Sequence, residues 1–225
     1  MIIFVKINID MEKKVRVLFE KCTRSFIENE FELRRILEWD VLWEWLSESN
    51  FEVNNNEQNS LERLIRASYL RINGWNEETL KINFISPVLS LIDFNYKYLG
   101  SFADEKLEAE FEHYILSGKA DWMVAKGIDR PEFPYFFLHE YKRGKSESDP
   151  EGQLLAAMIT AQHLNNNSLP IYGAVVMGSI WNFVYLKDKQ YDISKNYNSM
   201  DIDDLIEIVK VLKKTQNILT KQLDF

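Results

Sequence analysis

The segment PYFFLHEYKRG at positions 134–144 constrains the fold of this chain most. Its bulky apolar residues are typical of a strand that is buried in a sheet. Glu140 and Lys142 stand where the apolar run gives way to a polar loop, and because side chains alternate along a strand, both point to the same face. The pattern predicts either a surface ion pair or a pair of functional charges at the end of a buried strand.

The segments around this strand predict a central mixed sheet with flanking helices. Further strands are predicted over 107–116 and 118–127, and a hairpin of two strands over 169–187 with its turn near Gly178. Helices are predicted over 11–50, 60–72, 76–94, 149–164 and 201–223, with N-caps at Ser60, Asn76 and Asp149. This order of elements indicates an α/β fold.

An asparagine-rich stretch at 49–60 predicts a boundary between an N-terminal helical segment, 1–56, and a main domain, 57–225. In the helical segment, Trp39, Trp43 and Leu46 have the spacing of one helix face, and Trp45 falls off it. Such an apolar stripe predicts burial by a partner, which would make the protein a homodimer, or packing on the main domain.

Composition limits the function classes. The formal net charge of −8 argues against a protein that coats nucleic acid, but carboxylates that hold metal add to this charge, so a nuclease is compatible with it. A single cysteine, Cys22, forms no internal disulfide, which fits a reducing compartment. The chain shows neither a signal-peptide pattern nor an apolar run of about 20 residues. A cytoplasmic location without membrane insertion is therefore expected.

Asp121, in the preceding predicted strand, is the natural partner of Glu140. If the strands at 118–127 and 134–144 pair as a hairpin, the two carboxylates converge at one end. Converging carboxylates repel each other, and a divalent cation with a preference for oxygen ligands, Mg²⁺ or Mn²⁺, relieves that repulsion. Lys142 beside them can orient an attacking water, help to deprotonate it, or offset charge on a phosphate.

The ordered motifs GKAD at 118–121, EYK at 140–142 with Gly144, and QLLAA from Gln153 resemble the PD-(D/E)xK nuclease superfamily. This resemblance implies a restriction-endonuclease-like core over about residues 76–190. The family pattern also has an acid on the opening helix, and Glu77 matches it, with Glu78 as the alternative.

The resemblance implies roles for these residues. Asp121, Glu140, the backbone carbonyl of Tyr141 and Glu77 would hold Mg²⁺ or Mn²⁺, and Lys142 would position the water. Gln153 would either contact the site or only tie its helix to the strand.

Two functions stay open at this point. The first is metal-dependent hydrolysis of DNA, in restriction, defence or repair, and the motifs do not separate DNA from RNA. The alternative is a non-catalytic subunit with the same fold that binds nucleic acid or protein. The acidic charge favours this alternative, or else a protein partner that supplies DNA binding.

Overall fold

The structure, a computed structural model, describes residues 14–47, 51–142 and 149–223, apart from the side chain of Leu138. The strands are β1 (Val15–Leu18), β2 (Arg34–Arg35), β3 (Leu99–Glu110), β4 (Tyr114–Lys126), β5 (Glu132–Lys142), β6 (Ile171–Met177), β7 (Ile180–Lys187), β8 (Gln190–Ile193) and β9 (Tyr197–Asn198). Within the described residues they form one nine-stranded mixed sheet in the order β1-β4-β5-β6-β7-β8-β2, with β3 paired to β4 and β9 to β7.

The helices are α1 (Arg24–Glu30), α2 (Asp40–Leu46), α3 (Asn55–Ser68), α4 (Glu77–Leu80), α5 (Ser86–Leu89), α6 (Pro150–Asn165) and α7 (Ile202–Leu223). A π-helical turn over Lys81–Ile85 joins α4 to α5 just before Pro87, so the single helix predicted over 76–94 is divided by a wider turn and ends at Leu89. No helix in the described part of the chain has the length and apolar character to cross a membrane.

Helices cover both faces of the sheet. Leu154 and Met158 of α6 belong to one buried cluster, and Ile208 and Leu212 of α7 belong to a second. The strands between them are buried on both sides, which explains their continuous apolar runs. The predicted α/β class with a mixed sheet and flanking helices is confirmed.

Several local predictions are confirmed. Asn76 caps α4 by accepting from Thr79 N at 2.8 Å, and Asp149 caps α6 by accepting from Gly152 N at 2.9 Å. The strands β6 and β7 form the predicted hairpin, with Gly178 at a φ of 60° in the turn. A positive φ is a conformation that glycine adopts without strain.

The prediction for α3 was wrong at its start. The helix begins at Asn55, not after Ser60, because Asn54 and Glu57 form a capping box. The Asn-rich stretch that indicated a domain boundary therefore contains the first turn of this helix.

The prediction of an N-terminal helical segment was also wrong in part. Between residues 14 and 47 the chain forms two edge strands and two short helices instead of one long helix. The β1 strand pairs in parallel with β4, and β2 pairs in parallel with β8. Val15 and Val17 are β-branched and favour extended backbone, and their partner strand lies about a hundred residues later, so local periodicity gave no sign of it.

The predicted strand over 107–116 was wrong because a turn divides it. β3 ends at Glu110, and β4 starts at Tyr114, with Phe111 N donating to Tyr114 O at 2.7 Å. No glycine or proline marks the turn, so the alternating pattern of β3 runs on into β4. The two strands pair antiparallel along most of their length.

The predicted tryptophan stripe was wrong in part: Trp39 and Leu46 pack on the core of the main domain, which was one of the two predicted alternatives, but Trp43 does not. Trp45 is buried in α2 together with Leu42, and its indole N–H donates to Thr215 Oγ1 at 2.9 Å, whereas Trp43 is 56% exposed. Trp39 precedes the helix and packs edge-on against Tyr185, with ring centroids 5.1 Å apart. The homodimer stays a prediction, but the continuous apolar stripe on which it rested is absent from the described residues.

Trp45 and Trp43 give a matched pair for testing this packing. We expect Trp45→Ala to lower the free energy of unfolding by about 3–5 kcal/mol, because it leaves a cavity and removes the partner of Thr215. We expect Trp43→Ala to change it by less than about 1 kcal/mol, since that side chain is mostly exposed. Urea unfolding of both variants measures the difference, and equal losses would contradict the described orientation of α2.

Candidate active site

The site lies where β4 and β5 stop pairing. β3 pairs with one edge of β4. On the other edge, β1 pairs with residues 114–117 of β4, and β5 pairs with residues 122–126. The last pair between β4 and β5 is Trp122 with His139, so Asp121 and Glu140 stand just past the end of this ladder. The gap between β1 and β5 leaves room for side chains to meet there.

Asp121 closes this gap with a hydrogen bond. Its Oδ2 accepts from the backbone N–H of Tyr141 at 2.7 Å, at a point where β5 continues beside β6 alone. The end of β5 is held from its other side, because Gly178 N donates to Lys142 O at 3.0 Å. The backbone that carries Glu140 and Lys142 is therefore fixed by both neighbouring strands.

Lys142 lies between two carboxylates. Its Nζ is 2.7 Å from Glu140 Oε1 and 3.6 Å from Glu77 Oε2. Only 19% of the Lys142 side chain and 9% of the Glu140 side chain are exposed. This is a largely buried charge cluster and not a surface ion pair.

Lys81 forms a second bridge. Its Nζ is 3.1 Å from Asp121 Oδ1 and 3.5 Å from Glu77 Oε1, and it also contacts Glu78 Oε1 at 3.2 Å. The side chains of Lys81 and Asp121 are each only 15% exposed. Glu77 contacts both ammonium groups, so it links the two halves of the cluster.

The structure thus brings together four of the residues that the sequence singled out, namely Glu77, Asp121, Glu140 and Lys142. The alternative acid, Glu78, contacts Lys81 from the exposed side. The motif residue Gly144 lies outside the described residues. The roles predicted for the clustered side chains, and for the Tyr141 carbonyl, remain predictions.

Gln153 does not join the cluster by a polar contact. It is buried in the first turns of α6, and its amide donates to the backbone carbonyl of Glu20 at 3.4 Å. Among the described residues, no hydrogen bond joins it to Glu140 or Lys142. Of the two predicted roles, the observed contact is a structural one, between α6 and the segment after β1.

Sequence reasoning missed Lys81. The residue follows Glu77 by four positions, the spacing at which a glutamate and a lysine pair on one face of a helix. That spacing was the available signal. It could not reveal that Lys81 also reaches Asp121, because this contact depends on how the helix packs against β4.

The charge balance of Glu140 is unusual. Burial, together with repulsion from Asp121 and Glu77, raises the pKa of Glu140 to about 7, although attraction to Lys142 opposes the shift. The carboxyl group is therefore partly protonated near neutral pH in the absence of a metal ion. A cation that binds there has to displace this proton.

Lys142 is a protonated ammonium group at neutral pH. Burial alone would lower its pKa, but attraction to Glu140, Glu77 and Asp121 outweighs burial and raises the pKa. A fully protonated lysine donates hydrogen bonds and cannot take a proton from water. This charge state favours positioning the water over deprotonating it.

The donor set of the cluster suits a hard divalent cation, because its ligand atoms are carboxylate oxygens with a backbone carbonyl nearby. In this structure, however, lysines stand between the carboxylates. Within the described residues, no three acidic, histidine or cysteine side chains are grouped closely enough to hold one ion. Two carboxylates, Asp121 and Glu140, with the Tyr141 carbonyl remain the smallest set that fits, and Lys81 would have to leave Asp121.

A scan against protein-family models finds no model that matches this chain, and a search of curated proteins finds no similar sequence. The resemblance to the PD-(D/E)xK superfamily therefore rests on the sequence motifs alone.

The raised pKa of Glu140 predicts a specific pH dependence of stability. Between the ordinary pKa of 4.5 and the folded value of about 7, the folded state binds this proton more tightly than the unfolded state does. The free energy of unfolding therefore falls as pH rises through this window. We expect Glu140→Gln to remove much of this fall, as measured by urea unfolding from pH 4.5 to pH 8.

Glu132→Gln is the matched control, because Glu132 is an exposed glutamate on the same strand. It should leave the pH profile as in the wild type. If Glu140→Gln and Glu132→Gln give the same profile, Glu140 does not carry the buried proton.

Proposed function

We propose that this protein is a metal-dependent nuclease that hydrolyses phosphodiester bonds of DNA, in a restriction, defence or repair setting. The observation that carries the proposal is the convergence of Glu77, Asp121, Glu140 and Lys142 in a largely buried cluster. A restriction-endonuclease-like core is part of the same proposal, and it is supported by the mixed sheet and by the break between β4 and β5.

Each side chain has a proposed task. Asp121 and Glu140 would hold Mg²⁺ or Mn²⁺ with the Tyr141 carbonyl, and Glu77 would add a further carboxylate. The ion, when bound, would polarise the phosphate and lower the pKa of a water ligand. Lys142 would donate a hydrogen bond that holds the attacking water in line with the phosphorus atom.

Lys81 would bind the phosphate. Its ammonium group pairs with Asp121 and Glu77 in the metal-free protein. A divalent ion on Asp121 would compete for that carboxylate and release Lys81 toward a phosphate oxygen, whose charge it can offset.

Loss of Lys142 gives the first test. We expect Lys142→Ala to reduce cleavage of DNA in Mn²⁺ or Mg²⁺ by about 100-fold or more, which is the usual cost of removing one positioned donor. Lys126→Ala is the control, because Lys126 is an exposed lysine at the far end of β4. Purified wild type and Lys142→Ala that degrade DNA equally would show that the activity is a contaminant and that the assignment fails.

Metal binding gives a second test that needs no substrate. An ion that binds only the folded state stabilises it by about 2.7 kcal/mol at a hundred times its dissociation constant, so Mn²⁺ should raise the melting temperature. We expect Asp121→Asn to lose most of this rise. Asp129→Asn, in the exposed loop before β5, should keep it. A melting temperature of the wild type that does not respond to Mn²⁺ or Mg²⁺ would contradict a metal site.

The second candidate function is a non-catalytic subunit that binds nucleic acid or protein. One observation favours it: the described residues offer no ready-made group of three metal ligands. The thermal measurement separates the two candidates, because a non-catalytic subunit has no reason to bind Mn²⁺ through Asp121.

A further inference from the structure

A cavity of about 620 Å³ adjoins the charge cluster. Lys81, Asp121 and Tyr141 belong both to its wall and to the candidate site. The rest of the wall comes from the π-helical turn, α5, the segment that follows it, and the facing parts of β3 and β4. The residues that matter here are Trp122, Ser90, Asn95, Ser101 and Ala103.

Trp122 is the aromatic platform of this cavity. It is partly exposed, and three rings pack against it in T-shaped pairs that fix its position: Phe94 at 5.2 Å, Phe137 at 6.0 Å and His139 at 4.9 Å between centroids. Trp122 is also the residue that follows Asp121 in β4. A flat ring fixed beside the predicted metal ligand is suited to stacking against another ring.

The wall carries little positive charge. Lys81 is the single lysine or arginine among the described residues that line the cavity, and the carboxylates of Asp93 and Asp121 lie there too. A surface of this kind does not attract a run of phosphates, which needs several cations. Stacking and hydrogen bonds to a base need no such charge. Ser90 Oγ donates to Pro87 O at 2.7 Å and Ser101 Oγ donates to Asn95 Oδ1 at 3.1 Å, so the two hydroxyl oxygens keep acceptor capacity and the Asn95 amide nitrogen is the donor that a base could use.

We propose that this cavity takes the base of an unpaired nucleotide next to the phosphate that is cleaved, so that the substrate is single-stranded nucleic acid. In a duplex the bases are stacked and paired inside the helix, and one would have to flip out to enter a pocket. A single strand presents its bases without that cost, and Trp122 stacks on one of them. The inference rests on the proposed nuclease function for the position of the phosphate, but strand binding is measurable without cleavage.

The experiment measures binding of a short labelled oligothymidylate, and of the same strand annealed to its complement, by fluorescence anisotropy without divalent ions. We expect the single strand to bind at least about tenfold more tightly than the duplex. Trp122→Leu should weaken single-strand binding about tenfold, in line with the loss of one base–aromatic stack. Trp122→Phe should keep most of the affinity, because it keeps an aromatic face.

Two further variants serve as a control for the Trp122 substitution and as a second test of the cavity. Trp43→Leu makes the same chemical change at an exposed tryptophan on α2 that does not line the cavity, and it should have no effect. Ala103→Leu fills part of the cavity from an exposed position. Because substitutions at exposed positions usually change stability little, we expect this variant to fold even if Trp122→Leu does not. It should weaken binding of the single strand and leave binding of the duplex unchanged.

The outcomes separate this inference from the proposed function. Equal binding of single strand and duplex, or full affinity in both Trp122→Leu and Ala103→Leu, would overturn the inference even if the protein cleaves DNA. Tight single-strand binding that these variants weaken supports it, even if no metal-dependent cleavage is found and the nuclease proposal fails.

Discussion

The hydrogen bond from Tyr141 N to the carboxylate of Asp121 holds the candidate site together. It replaces a ladder bond at the point where β4 and β5 part, so the strands separate without leaving this backbone donor unpaired. The separation brings Asp121 and Glu140 past the end of the ladder, where α4 can present Glu77 to both lysines. Asp121 therefore accepts the backbone hydrogen bond with Oδ2 and presents Oδ1 to a cation, which is Lys81 in the metal-free protein.

The second constraint is electrostatic. Three carboxylates in a largely buried region would be costly alone, and Lys81 and Lys142 offset their charge in the metal-free protein. The compensation is incomplete, because Glu140 keeps a raised pKa of about 7. A divalent cation would complete it and release the ammonium group of Lys81 toward a phosphate. The lysines thus connect the stability of the fold to the proposed chemistry.

Much of this arrangement was predictable from the sequence, and the features that were not predicted share one physical reason. The buried strand, the hairpin that joins Asp121 to Glu140, and the caps at Asn76 and Asp149 follow from local patterns. The edge strand β1 and the contact of Lys81 with Asp121 depend on partners far away in the chain. Trp45 was misjudged for the same reason, since helical spacing gives a face but not the surface that covers it.

A crystal structure with Mn²⁺ and anomalous scattering data would show directly whether the site binds a metal ion. We expect an anomalous peak between Asp121 and Glu140, with the Tyr141 carbonyl beside it. We also expect that Lys81 has moved away from Asp121 and that Lys142 still faces the site. A structure without a peak at this position, with both lysines still bridging the carboxylates at high Mn²⁺ concentration, would contradict the proposed metal site.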